Sequence, residues 1–179
     1  KETNMYHPRL GWVKRPGASV NVEERREDGS LRTFSVNINS KGARGEKEYS
    51  YERDPSIKRI VLVGDSFAFG DQVSDDETFA AVLERSLKDT EVVNLGVSGY
   101  GTDQMYLYFQ EEGIKYKPDL VVFSIYDGDY LRSAYYCNGY FKPKYEIEDL
   151  EINIGHVPVP KPEEVIEMRG SLLFQSYLV

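Results

Sequence analysis

The chain has 179 residues, of which 40% are hydrophobic, so it is long and apolar enough to bury a core, which argues against disorder. Its 22 Lys and Arg residues against 30 Asp and Glu residues give a formal net charge of -8, which disfavours a nucleic-acid partner or an anionic membrane surface. Cys137 is the only cysteine and His7 and His156 the only histidines, so an intrachain disulfide and a zinc cluster are excluded. No apolar run reaches the roughly 18 residues of a membrane span.

Residues 1–56 are predicted to form a small β-rich extension in front of the main fold. Within residues 32–39 every second side chain is apolar, and an Asp-Gly pair precedes this stretch. The pattern predicts a β-hairpin whose partner strand is residues 20–25. Residues 39–45 are predicted to be a loop in which glycines adopt positive φ.

Residues 57–179 form the second predicted unit, in which short apolar runs alternate with amphipathic segments. This alternation indicates an α/β fold with a parallel sheet covered by helices. The predicted buried strands are residues 59–63, 91–95 and 120–125. The predicted helices cover residues 76–88, after a capping-box pattern from Ser74 to Glu77, and residues from Thr102 or Asp103 to near Gly113.

The last part of the chain has a weaker pattern. Residues 135–162 are rich in aromatic, acidic and proline residues without a clear period, so we predict an irregular insertion. A final helix is predicted after Pro162, with a bend at Gly170 and Ser171.

A serine follows the first predicted strand directly, in the sequence Gly64-Asp65-Ser66. Open parallel sheets hold their functional sites at the carboxyl ends of the strands. A serine at this place can present its hydroxyl as a nucleophile while nearby backbone N–H groups receive an oxyanion. The alternative is a simple strand-to-helix turn in which Asp65 and Ser66 cap the helix.

The second strand also leads into a glycine-rich turn, which contains Asn94 and Gly99. The two turns together resemble the SGNH/GDSL hydrolase family over residues 58–130. Ser66 matches the serine of the first family motif, and Gly99 matches the glycine of the second, whose backbone N–H is an oxyanion donor in the family. The resemblance implies a three-layer, flavodoxin-like SGNH-hydrolase fold, incomplete at its C-terminus, of which this chain holds the N-terminal two-thirds.

Two family motifs are altered or missing in this chain. Gly128 occupies the position of the third motif's asparagine, so the side-chain oxyanion donor is lost, with Asp129 following it. A backbone N–H or Asn138 could substitute for that donor. The fourth motif, Asp-x-x-His, does not occur in the 179 residues, and neither His156 in the insertion nor His7 in the extension is expected to act as the base.

The resemblance implies a serine esterase or acyl hydrolase for O-acyl esters, such as O-acetyl groups on carbohydrate. Ser66 would form the acyl-enzyme, the N–H groups of Ser66 and Gly99 would bind the oxyanion, and Asp65, Asn94 and Asp129 would support the loops. Neither a metal nor an organic cofactor is implied. Two alternatives stay open, namely a cell-envelope glycan O-acetyltransferase and a non-catalytic glycan-binding module lined by tyrosines.

The missing histidine and the end of the chain lead to two further expectations. We expect the third strand to have an exposed edge, and therefore expect the 179 residues to be part of a longer protein or to have that edge covered by something else. We expect negligible hydrolysis by these residues alone. The substrate and oligomeric state stay open, and for the compartment we favour the bacterial cell envelope or export.

The spacing of the glycines and acidic residues does not match the nucleotide-binding or calcium-binding motifs. The glycines near Ser66 and Gly99 match neither a dinucleotide-binding nor a P-loop pattern. A group of acidic residues invites a calcium hypothesis but lacks the register of an EF-hand loop, so an acidic first turn of a helix is the preferred interpretation. These residues are Asp71, Asp75, Asp76 and Glu77.

Overall fold

The structure is a computed structural model and describes residues 3–138 and 140–168. The strands are β1 (Asn4–His7), β2 (Gly11–Lys14), β3 (Ser19–Arg25), β4 (Leu31–Asn37), β5 (Lys58–Gly64), β6 (Thr90–Gly96), β7 (Leu120–Ser124), β8 (Cys137–Asn138), β9 (Tyr140–Phe141), β10 (Lys144–Glu148) and β11 (Glu151–Gly155). The helices are α1 (Ser66–Phe69), α2 (Phe79–Ser86), α3 (Thr102–Glu111), α4 (Asp127–Ser133) and α5 (Pro162–Met168).

The centre of the fold is a three-stranded parallel sheet in the order β6-β5-β7. Its strands coincide with the three predicted apolar runs, which confirms those predictions. All residues of β5 after Lys58 are buried, as expected for a central strand covered on both faces.

Helices cover both faces of this sheet. On one face, alternate residues of β5 and β6 pack with α3 in a cluster that includes Val61, Val63, Leu95, Met105 and Leu107. On the opposite face, the intervening residues of the same strands pack with α1 and α2 in a cluster that includes Ile60, Leu62, Val92, Ala68 and Ala80. The α/β class with a helix-covered parallel sheet is therefore confirmed.

The first 56 residues contain two antiparallel hairpins. The predicted hairpin is β3–β4, with Gly29 at φ 83° in its turn and the alternate residues Phe34, Val36 and Ile38 buried. The hairpin β1–β2 was not predicted from the sequence. Leu10, Trp12, Ala43 and Tyr49 belong to the same hydrophobic cluster as the central strands, so this region packs directly on the sheet.

The predicted starts of the two long helices differ from the observed ones, by three residues for α2 and by one or two for α3. The capping box from Ser74 to Glu77 exists, but it caps a short 3-10 turn, and α2 begins only after Thr78, whose hydroxyl accepts a hydrogen bond from the Ala81 N–H. Thr78 has extended backbone angles, which separates the turn from the helix. Gly101, rather than Thr102 or Asp103, precedes α3, and the Gln104 side chain accepts its N–H.

The irregular insertion predicted over residues 135–162 is also wrong. This region contains the pair β8–β9 and the hairpin β10–β11. Asp149 and Leu150 form the two-residue loop of the β10–β11 hairpin, with φ of 51° and 67°. Such positive φ values usually require glycine or asparagine. Because neither residue is present at these two positions, the sequence carried no turn signal. The final helix α5 begins at Pro162, while the predicted bend at Gly170 and Ser171 lies outside the described residues.

Candidate functional site

The candidate site lies at the carboxyl end of the central sheet. Gly64, Gly96 and Ser124 are in register there, so the loops that follow β5, β6 and β7 lie side by side. A Cβ atom on Gly96 would overlap the backbone of Phe69, and one on Gly64 would overlap the Ala68 side chain. Glycine at both strand ends therefore allows α1 to cross directly over the tips of β5 and β6.

Ser66 is the first residue of α1 and is half-buried. Its Oγ lies 3.3 Å from Oδ2 of Asp65, a long hydrogen bond. Asp65 is 1% exposed, and its Oδ1 accepts the Phe67 N–H at 2.9 Å. Asp65 is thus the N-cap of α1, as predicted by the alternative of a simple strand-to-helix turn. Ser66 nevertheless lies at the tip of the sheet.

Gly99 lies in the loop between β6 and α3 at φ 84°, a left-handed conformation that favours glycine. Asn94, the other residue of this predicted motif, is buried near the end of β6. Its Nδ2 donates to the Ala68 carbonyl at 2.8 Å, and its Oδ1 accepts the Gly96 N–H at 2.9 Å. Asn94 therefore ties the second loop to the helix that carries Ser66.

The strand β2 holds the Gly99 loop from the outside. The Trp12 indole N–H donates to the Ser98 carbonyl at 3.1 Å, and the Tyr100 hydroxyl donates to the Trp12 carbonyl at 2.5 Å. The Lys14 ammonium donates to Ser98 Oγ at 3.2 Å and lies 3.5 Å from the centre of the Phe69 ring. Burial lowers the pKa of Lys14 to about 8, against the attraction of Asp71.

The third loop leads from β7 into α4. A Cβ atom on Gly128 would overlap the hydroxyl group and ring of Tyr126, so the Tyr126 side chain occupies the place from which a side chain at residue 128 would start. The Tyr126 ring packs edge-on against Phe67 at a centroid distance of 5.5 Å. Asp129 is fully buried, and its Oδ2 accepts the Tyr126 N–H at 3.0 Å.

Arg132 joins the first and third loops. One guanidinium nitrogen donates to Asp65 Oδ2 at 2.9 Å and to Asp129 Oδ1 at 2.6 Å, while the other donates to the Tyr126 hydroxyl at 2.8 Å. Burial is the largest single influence and lowers the pKa of Arg132, but the hydrogen bond to Asp65 and the attraction of Tyr126, Asp129 and Asp65 together outweigh it, so the pKa is raised. For Asp129, burial raises the pKa, although the Tyr126 N–H and Arg132 act in the opposite direction.

The two histidines lie in other parts of the fold. The His7 Nδ1 accepts the Leu10 N–H at 3.2 Å, its Nε2 is 3.8 Å from Glu111, and burial lowers its pKa. His156 packs on the Tyr136 ring at 3.7 Å, after the β10–β11 hairpin, and burial lowers its pKa as well. Over the described ranges, Asp65 is the side chain that hydrogen bonds to Ser66 Oγ. Asn138 was considered above as a substitute oxyanion donor, but its side chain is not among those that the structure describes.

The acidic residues after α1 make contacts within the protein. Asp75 accepts from Arg44 Nε at 2.8 Å, Glu77 accepts from Arg32 at 3.1 Å, and Asp71 accepts from Ser98 Oγ at 2.6 Å. A search of the described residues finds no group of three or more His, Cys, Asp or Glu residues that could hold a metal ion. Asp75 and Glu77 therefore connect the N-terminal 56 residues to the main fold.

Sequence reasoning missed Arg132, Trp12 and Lys14, and it considered Tyr126 only among the tyrosines of a glycan-binding module. Asp129 and Arg132 are three residues apart, a spacing that pairs side chains on a helix, so the recognition of α4 would have been the signal for that ion pair. The contacts of β2 with Ser98 and Tyr100 join residues more than 80 positions apart, and no local pattern predicts them.

No protein-family model matches this chain, and a search of curated proteins finds no significant match. Among the helices within residues 3–138 and 140–168, none is both long and apolar enough to cross a membrane.

Proposed function

We propose that this chain carries the nucleophile and the oxyanion-binding loops of an SGNH/GDSL-type serine esterase or acyl hydrolase. The observation that carries the proposal is the position of Ser66, which is half-buried at the tip of a parallel sheet with the Gly99 loop beside it. The register of Gly64 with Gly96 supports the proposed convergence of the two loops. The hydroxyl and the backbone amides would then act on one ester group.

The finer fold assignment, a three-layer flavodoxin-like domain, belongs to the same proposal. The first strand of the central sheet lies between the second and the third, which is the order at the start of flavodoxin-like sheets. Helices on both faces also support it.

In the proposed reaction, the Ser66 Oγ attacks the ester carbonyl carbon and its proton passes to a base. The carbonyl π electrons move to the oxygen, which the N–H groups of Ser66 and Gly99 would stabilise. Collapse of this intermediate expels the alcohol, which takes up the proton, and leaves an acyl-enzyme that water then hydrolyses. The Asp65 carboxylate is already engaged by Arg132 and by the Phe67 N–H, so it serves as a structural partner of the two loops. The resemblance instead assigns the base to the histidine of the Asp-x-x-His motif.

The substrate class that we propose is a small O-acyl ester, with acetylated carbohydrate as the leading example. Phe67, next to Ser66, is 73% exposed, and Tyr126 beside it is 41% exposed. The two rings offer an apolar surface at the site, which suits the face of a sugar ring or a short acyl chain. Neither a metal nor an organic cofactor is part of this proposal.

One observation favours a second candidate, a non-catalytic glycan-binding module. Over the described ranges the only side chain bonded to Ser66 Oγ is that of Asp65, which is itself held by Arg132. Without a base, a serine hydroxyl is a poor nucleophile at neutral pH. Binding of acetylated glycans by the full-length protein, with no turnover of p-nitrophenyl acetate, would favour this candidate over the esterase.

Covalent labelling with a fluorophosphonate tests the esterase proposal. Full-length protein should be modified at Ser66, and Ser66→Ala should remove both the labelling and the hydrolysis of p-nitrophenyl acetate. Ser86→Ala is the matched control, because Ser86 lies at the end of α2 and bonds to the Val82 carbonyl. Labelling of the wild type no greater than that of Ser66→Ala would contradict the proposal.

A further inference from the structure

The third loop contains a tyrosine hydroxyl with a defined orientation. Arg132 donates to the Tyr126 oxygen at 2.8 Å, and a guanidinium group has no lone pair with which to accept a hydrogen bond. The phenol oxygen is therefore the acceptor in this contact, and its own hydrogen must point elsewhere. Within the described part of the chain, no acceptor bonds to that hydrogen.

The position of this hydroxyl is fixed from several sides. Arg132 is held by Asp65 and Asp129, which are 1% and 0% exposed. The Asp129 carboxylate also accepts the Tyr126 backbone N–H, and the Tyr126 ring packs on Phe67. Such a network holds a side chain in one orientation, which is what a preorganised donor needs.

The same network ends at Ser66. Asp65 Oδ2 accepts from both Arg132 and Ser66 Oγ, and Phe67, whose ring touches Tyr126, follows Ser66 in the chain. Tyr126 also fills the space next to Gly128 that a larger side chain would need. The Tyr126 hydroxyl therefore lies where a side chain of residue 128 would begin.

We infer that the Tyr126 hydroxyl, held by Arg132, donates a hydrogen bond to the oxyanion that forms when Ser66 attacks an ester. The inference rests on the proposed function of Ser66. As the Ser66 Oγ bonds to the carbonyl carbon, the carbonyl electron pair moves to the oxygen, which accepts the bond from Tyr126. The tyrosine keeps its proton throughout, so its contribution is electrostatic. Tyr126 is then a catalytic residue, and Arg132 is a positioning residue.

Tyr126→Phe in the full-length protein is the direct test, because it removes only the hydroxyl and keeps the ring packing on Phe67. Loss of one oxyanion donor lowers kcat by about 10²- to 10³-fold, and KM should change much less. Tyr106→Phe is the matched control, since Tyr106 is 48% exposed on α3, and it should keep wild-type kcat. Circular dichroism and thermal melting of both variants check that the fold is intact.

A swap of side chains separates a catalytic role from a structural one. Gly128→Asn alone should lower kcat, because its Cβ collides with the Tyr126 ring. Tyr126→Ala should also lower kcat, and Gly128→Asn added to Tyr126→Ala should recover at least about tenfold of that loss, since an amide donor then occupies the vacated space. A purely structural tyrosine gives no such recovery of kcat.

The outcomes distinguish this inference from the proposal on which it rests. Wild-type activity that Ser66→Ala does not remove would overturn the proposed function. Activity that depends on Ser66 but falls less than about threefold in Tyr126→Phe, against the 10²-fold or greater loss of a true donor, would overturn the role of Tyr126 alone. The same conclusion would follow if the double variant showed no recovery over Tyr126→Ala.

Discussion

The two outer strands of the central sheet differ in how they are covered. Neighbouring segments form hydrogen bonds with the backbone of β6. The Arg44 N–H donates to the Asn94 carbonyl, and the Tyr49 hydroxyl donates to the Val92 carbonyl. The Glu84 carboxylate accepts the Val92 N–H. On β7, Leu120 is 53% exposed and Phe123 is 37% exposed, and no hydrogen bond to its outer edge is present among the described residues. The expected exposure of the third strand's edge is thus observed.

The loops that follow these strands differ in the same way. Tyr100, after β6, is completely buried, whereas Tyr126, Tyr130 and Leu131, after β7, are 41%, 62% and 66% exposed. The Gly99 loop is fixed mainly by the packing of Tyr100 and by the bonds of β2, although the Ser98 hydroxyl also bonds to Lys14 and Asp71. The Tyr126 loop is fixed mainly by the charges around Arg132. One half of the site therefore depends mainly on the core, and the other half depends mainly on electrostatics.

Truncation of one tyrosine in the Gly99 loop and one after β7 should give the largest difference in the free energy of unfolding. Tyr100→Ala removes a ring that packs edge-on against Trp12 at 5.5 Å, and we expect a loss of roughly 3–5 kcal/mol in the free energy of unfolding. Tyr130→Ala, at the exposed side, should change it by less than about 0.5 kcal/mol. Urea denaturation measures both values, and similar losses in the two variants would contradict the comparison.

The contrast also shows what the sequence could predict. Ser66 was proposed because it follows an apolar strand and precedes a helix-forming segment, and Gly99 was proposed because its glycine-rich turn resembles the second motif of the SGNH/GDSL family. Asn94 was proposed with them, and it bonds to the Ala68 carbonyl and the Gly96 N–H at 2.8 and 2.9 Å. Short parallel strands and their loops are local features, and local patterns predict them well.

The features that escaped prediction depend on distant or unusual contacts. The hairpin β1–β2 and its bonds to Ser98 and Tyr100 arise from chain segments far apart in sequence. Arg132 acts at the site only because α4 turns it back towards Asp65. The turn at Asp149 and Leu150 adopts positive φ without a glycine, so its sequence resembles an ordinary strand.

Removal of the Arg132 charge should test the electrostatic half of the site. Arg132→Met leaves the buried Asp65 and Asp129 carboxylates without their shared donor, and we expect a loss of about 1–3 kcal/mol in the free energy of unfolding. The pKa of the Asp129 carboxyl should rise further, since Arg132 opposes the effect of burial, and carbon-detected NMR titration measures this shift.

Arg53→Met is the matched control for that variant. Arg53 pairs with Asp119, whose side chain is 40% exposed, so loss of this surface ion pair should cost less than about 1 kcal/mol. Equal losses for Arg53→Met and Arg132→Met, or an unchanged Asp129 pKa in Arg132→Met, would show that the Arg132 cluster does not hold the third loop.

The pH dependence of stability should report on Lys14, at the covered side. Its folded-state pKa of about 8 lies below the 10.5 of an unfolded lysine, so between these values the unfolded chain binds more protons. Stability of the wild type relative to Lys14→Met should therefore be nearly constant well below pH 8 and rise as the pH passes through 8, by about 2 kcal/mol at pH 9.5. Asp71 and Arg44 are the charged groups that face Lys14.

Lys88→Met, on the surface, is the matched control for the loss of one lysine charge, since the Lys88 side chain is 93% exposed. Urea denaturation from pH 7 to pH 9.5 gives the free energies. The ionisation of the tyrosines changes the free energy of unfolding equally in all three proteins. Its effect therefore cancels when the free energy of each variant is subtracted from that of the wild type. The same pH dependence in both variants would show that the Lys14 ammonium is not buried.

The smallest effect is expected at the outer edge of β7. Leu120 pairs with Ile60 across the sheet, and Ile60 pairs with Val92 on the other side, so Leu120 and Val92 occupy equivalent positions on the two outer strands. Leu120→Lys should change the free energy of unfolding by less than about 0.5 kcal/mol, because a half-exposed lysine keeps its ammonium in water. Val92→Lys should be far more damaging, because Val92 is 2% exposed.

Charged residues on an exposed edge also disfavour strand-to-strand association, so Leu120→Lys should lower any self-association seen by sedimentation velocity. A large loss of stability in Leu120→Lys would mean that this edge is packed against another part of the protein, and the contrast between the two outer strands would then not hold.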